Sequence, residues 1–135
     1  MKNNKKGFTL IELLAVIVIL AIIMVIAVPR ILDVINNSRN SAWNSNCKLV
    51  KEAIDLNTTL STTGMSSSTF SLASTCTGSD VPITTGIASI ADISATDTTV
   101  TCSRTGEAGS YVYTVTVTPT AGGQFAGRAA QTFTY

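Results

Sequence analysis

Glu12 is the one ionisable residue inside an apolar run that extends from Phe8 to Val28, and Thr9 is the only other polar residue there. A carboxylate at that depth of a hydrophobic helix is costly in lipid, which makes it a functional residue by default. A local use is also open to it. Thr9 and Glu12 have the Thr-x-x-Glu spacing of a capping box, in which the glutamate satisfies an orphan amide and suits the positive end of the helix dipole. The other reactive side chains are Cys47, Cys76 and Cys102, an odd count for which one disulfide and one free thiol is the simplest arithmetic. A Cys76–Cys102 bridge would tie a loop to a sheet, with Cys47 as the alternative partner of either. A three-thiolate metal site from Cys47, Cys76 and Cys102 is a further reading, unsupported by any close Cys-x-x-Cys pair. The chain has no histidine, so it lacks the commonest general base and metal ligand. No catalytic residues and no cofactor are expected, and the chain is not read as an enzyme.

The chain that must position these groups has 135 residues, enough for one small domain beyond the apolar run. Its formal net charge of +1 gives no reason to expect nucleic-acid binding. Lys2, Lys5 and Lys6 all precede Phe8, so a chain starting at Phe8 would carry six basic residues against eight acidic ones and turn mildly acidic. As a helix the run from Phe8 to Val28 spans roughly 32 Å, about the thickness of a bilayer core. The lysines before it place the N-terminus in the cytoplasm. A secretory signal would end at a small-x-small site, and Ala27-Val28-Pro29-Arg30 offers none. Pro29 is expected to kink or locally open the helix. Beyond it Ile31, Ile35, Ala42, Leu49, Ala53, Leu56 and Leu60 recur at spacings of three, four and seven, with Leu32, Trp43, Val50 and Ile54 widening the stripe. The helix is therefore predicted from about Thr9 to about Asn57, with the Asn-rich patch from Asn36 to Asn46 on a solvated or inter-subunit face and Trp43 in the core.

The block Lys5-Lys6-Gly7-Phe8-Thr9-Leu10-Ile11-Glu12, continued by the apolar run to Pro29, resembles the N-terminal signal of type IV pilins and type II secretion pseudopilins. The resemblance covers residues 5 to about 30. It implies that a prepilin peptidase cuts between Gly7 and Phe8, that the new Phe8 amine is methylated, and that Phe8, Glu12 and Pro29 serve assembly. The precursor would sit in the cytoplasmic (inner) membrane, and the pilus machinery would assemble it with copies of itself into an extracellular helical filament. Physical chemistry agrees with these steps. Gly7 offers no side chain to obstruct a protease cleft, and cleavage creates an ammonium on Phe8 that Glu12 of a neighbouring subunit could neutralise in a dry core. Many members carry a glycine about two turns before the proline; the comparable residue here is Ala21. The resemblance supports a pilin of a type IV pilus-like filament for adhesion, motility or aggregation. A pseudopilin of type II secretion or of competence (DNA uptake) is the alternative. A membrane-anchored domain that never polymerises would leave Gly7–Phe8 uncut.

The rest of the chain reads as an α+β fold, a long N-terminal helix packed on a small antiparallel sheet, which is also the fold of the resembled family. The expected segments are a leader (1–7), a membrane or filament-core helix (8–29), its amphipathic continuation (30–57), a Ser/Thr-rich loop (58–97) and the sheet (98–135). Within the loop Asn57-Thr58-Thr59 is formally a glycosylation sequon, and Phe70 and Leu72 are expected to pin the loop to the core. Tyr111 to Thr118 alternates as a strand, Thr99 to Ser103 is its partner through a turn at Gly106–Gly109, and Gln131 to Tyr135 is a third strand. A weaker strand is expected in Ile83 to Ile93, and the stripe Ile31–Leu60 is expected to cover the sheet.

Overall fold

The computed structural model describes residues 7–64 and 70–135. In chain order it contains α1 (Leu10–Thr62), α2 (Leu72–Thr75), β1 (Val81–Pro82), α3 (Thr84–Ala91), β2 (Thr98–Glu107), β3 (Ser110–Pro119) and β4 (Gln131–Thr134). The four strands form one antiparallel sheet in the order β1-β2-β3-β4. The architecture is thus α+β, a long N-terminal helix and a small antiparallel sheet. The chain divides into two compact units, Met1–Ser38 and Arg39–Tyr135.

In the N-terminal unit the helix is apolar around its whole circumference from Leu13 to Val28, and every side chain from Leu10 to Ile26 is exposed. A helix with no polar face is stable only inside other apolar matter. Among the described residues α1 is the one helix long and apolar enough to cross a membrane. The helix runs on through Pro29. Pro29 has no amide to offer the carbonyl of Val25 one turn earlier, so one intrahelical bond is missing there.

The C-terminal unit is built on the widening edge of the expected stripe, where Trp43, Val50 and Ile54 lie, and not on its main line. Trp43, Cys47, Val50, Ile54 and Asn57 recur at spacings of four and three and are all buried. The first four join Val100 and Cys102 of β2 and Val115 and Val117 of β3 in one core. Of the expected stripe, Ile31, Ile35, Ala42, Leu49 and Leu56 are exposed, while Ala53 and Leu60 are half-buried. At ~100° per residue that stripe lies about 100° around the helix from the buried line. The physical reason is Trp43. Its indole needs both an apolar surround and an acceptor, and it finds them in Phe125, 5.4 Å away between ring centroids, and the Ala129 carbonyl at 3.0 Å. Asn36, Asn37, Asn40 and Asn44 are exposed, and Asn46 is half-buried.

The helix also outlasts its expected end. The Ser/Thr-rich loop is expected from residue 58, but the hydroxyls of Thr59 and Ser61 turn back onto the helix. Thr59 donates to the Asp55 carbonyl at 2.8 Å and Ser61 to the Thr58 carbonyl at 2.8 Å. Gly64, at φ 71, follows the last turn. Asn57, the sequon asparagine, is only 9% exposed. Phe70 and Leu72 are buried, as expected of residues that pin the segment down.

The expected strand within Ile83–Ile93 is corrected to a helix. Only Val81–Pro82 pairs with β2, and α3 follows at once. Ile83, Ile87 and Ala91, four residues apart, form its buried side. The ladder stops because Thr84 replaces it: its hydroxyl accepts from the Val100 amide at 2.9 Å and donates to the Val100 carbonyl at 3.2 Å. The β2–β3 hairpin is longer than read. Glu107 pairs with Ser110, so the turn is Ala108-Gly109 alone and Gly106 lies within β2.

Candidate processing and assembly site

Gly7 and Phe8 precede α1 outside regular structure. Among the described residues nothing lies within 4 Å of where a Gly7 side chain would project, and Phe8 is 91% exposed. Lys5 and Lys6 lie outside the described residues.

The capping box is formed. The Thr9 amide and hydroxyl donate to Glu12 Oε2 at 2.8 and 2.9 Å, and the Glu12 amide donates to Thr9 Oγ1 at 3.3 Å. Both bonds to the carboxylate fall on one oxygen. Oε1 accepts none among the described residues, so the local role of Glu12 leaves half of its acceptor capacity unused. The box also depends on nothing upstream of Thr9. A cut between Gly7 and Phe8 would leave the Thr9 amide in its peptide bond and the box intact. Capping and pairing with a second chain are therefore compatible uses of one side chain. Pro29 lies several turns further along the same helix and touches none of these groups.

The arrangement is thus an open Gly-Phe junction, a capped carboxylate and a continuous apolar helix. The prokaryotic N-terminal methylation motif matches residues 2–28. The chain carries a prepilin-type signal. That signal is the one found on type IV pilins and pseudopilins, and the apolar helix that follows it is consistent with membrane anchoring. No curated protein and no solved structure matches the chain in the same comparisons.

The cysteines lie outside the prepilin-type signal, in the C-terminal unit. Cys76 and Cys102 are joined, with Cα atoms 5.8 Å apart. The bridge fastens the segment after α2 to the middle of β2. Cys47 stays a free thiol, fully buried on α1, and burial pushes its pKa up to about 11. With two of the three thiols bonded to each other, the three-thiolate site from Cys47, Cys76 and Cys102 does not form. No group of three metal-ligating side chains stands together among the described residues.

Proposed function

We propose that the chain is a structural pilin subunit, cut after Gly7 by a prepilin peptidase, methylated on Phe8 and polymerised through its N-terminal helices into an extracellular type IV pilus-like filament. The observation that supports this best is the pairing of an apolar helix exposed all round with a capped carboxylate that keeps one oxygen free at its start. Cleavage turns the Phe8 amide into an amine that is protonated at neutral pH, and methylation preserves that charge. In a bundle of apolar helices with little water, such a charge must be paired. Oε1 of Glu12 in a neighbouring subunit is the acceptor of matching charge, and the pair would fix the axial register between helices. The box on Oε2 holds that carboxylate in place meanwhile.

Mass spectrometry of the mature protein tests processing. The chain should begin at Phe8 and weigh one methyl group more than its sequence; an intact Met1, or a cut after Val28, would overturn the reading. Assembly is tested separately by Glu12→Ala and Glu12→Gln. Both variants should be processed normally and fail to enter filaments. Glutamine retains an acceptor for the Thr9 amide, so normal filaments from Glu12→Gln would leave capping as the whole role of Glu12. Long surface filaments in electron micrographs support a pilus, whereas filaments that stay short would reassign the subunit to a pseudopilus.

A further inference from the structure

Four aromatic rings, those of Phe70, Tyr111, Tyr113 and Tyr135, line a concavity of about 280 Å³ in the C-terminal unit. None of Gly7, Phe8, Glu12 and Pro29 lines it. The rings are held by their surroundings. Phe70 packs against Gly86, where an added Cβ would come within 3.0 Å of the ring. Tyr111 lies under the Arg104 guanidinium, 4.3 Å from the ring centroid, and Arg104 is itself tied to the Thr77 carbonyl at 3.2 Å. Tyr113 and Tyr135 exchange both backbone hydrogen bonds, at 3.0 and 2.8 Å. A pocket whose walls are already ordered loses little freedom on binding.

The lining also selects by charge. Among the described residues no aspartate, glutamate, lysine or arginine lines the concavity, while Thr58, Ser61 and Ser71 do. Ser61 gives its proton to the Thr58 carbonyl and keeps acceptor capacity on its oxygen. A matching ligand is uncharged, has one face of polarised C–H bonds for the electron-rich ring faces, and carries hydroxyls for the serine and threonine side. Small-ligand pockets run from about 300 to 1,000 Å³, so this one suits a single ring better than a lipid or an oligosaccharide.

We propose that this pocket binds one neutral pyranose sugar, stacked on the tyrosines and hydrogen-bonded to the hydroxyls. The inference concerns residues 57–135 alone and needs neither cleavage nor a filament, so its failure would leave the pilin reading standing. The test uses the full chain in phosphocholine micelles, which carry no sugar headgroup. Saturation-transfer NMR is recorded with the methyl β-glycosides of glucose, galactose and N-acetylglucosamine, and with benzyl alcohol as an apolar probe. Transfer to the C–H protons of at least one glycoside is expected. Tyr111 is 37% exposed, so Tyr111→Ala should leave the melting temperature unchanged and weaken that glycoside about tenfold. Tyr111→Phe should retain it. Retention of the chain on beads bearing glycans that end in the same sugar, competed off by the free glycoside, distinguishes a surface glycan from a free sugar as the source. Transfer to benzyl alcohol alone, transfer to none of the probes, or equal transfer in Tyr111→Ala would each overturn the proposal.

Discussion

Cys47 combines full burial with a thiol pKa pushed up to about 11, so at neutral pH it is protonated and unreactive. A disulfide reagent such as Ellman's should label none of the native protein at pH 8 and one thiol per chain in denaturant; rapid native labelling would place Cys47 at the surface. Burial raises Tyr135 as well, and the negative charge of Asp55 adds to it. Both groups hold their protons more tightly folded than unfolded. Their contribution to stability is therefore complete below their unfolded pKa values, ~8.5 for cysteine and ~10 for tyrosine, and is lost as pH rises toward the folded ones. The melting temperature should fall from about pH 9 upward, and Tyr135→Phe should blunt the fall above about pH 10. At this scale the prepilin-type signal and the Thr9–Glu12 capping box were legible, because both are written in spacings of a few residues. The Cys76–Cys102 pair, named first from the sequence, is the bridge the structure contains; Cys47 stayed open as an alternative partner because no local spacing encodes how α1, α2 and β2 dock.

Two faces of α1 beyond Pro29 are apolar, and only one of them meets the sheet. Trp43→Ala should cost ~3–5 kcal/mol, the usual range for emptying a large buried aromatic site. Leu56→Ala, on the stripe that periodicity favoured, should stay within ~0.5 kcal/mol. Urea unfolding of both variants decides between the faces, and the reverse order would restore the stripe as the core. Periodicity finds that a helix has an apolar side, but where two such sides adjoin it does not say which one is covered. Trp43, with a ring to bury and an N–H to satisfy, was the better guide. The strands were more legible because β3 alternates over its length and buries Val115 and Val117. α3 was missed because an eight-residue apolar segment fits either period, and Val81-Pro82 before it does pair as a strand. Gly106 marks the reach of the hairpin into what read as turn. It sits at φ 106, with the Ser110 carbonyl where a Cβ would go. Gly106→Ala should lower stability by ~1–3 kcal/mol, measured by thermal melting.

As a whole the molecule joins two units with opposite solvent requirements. The N-terminal one exposes apolar surface all round, and the other encloses its core and fastens it with one bridge. Cys102→Ser should cost ~3 kcal/mol through the freed loop, read from unfolding with and without reductant. The bridge also has a history in time. Synthesis delivers the chain N-terminus first, so Cys47 becomes available before Cys76, and Cys76 before Cys102. The first pair able to meet is therefore Cys47 with Cys76, a bond the finished core does not contain. If oxidation outruns the packing of α1 against the sheet, the chain is caught in that pairing and must exchange it through a thiolate before the core can close over Cys47. Yield in an oxidising compartment then becomes a race between burial and chemistry. A thiol–disulfide isomerase should relieve that race, and Cys47→Ala should abolish it.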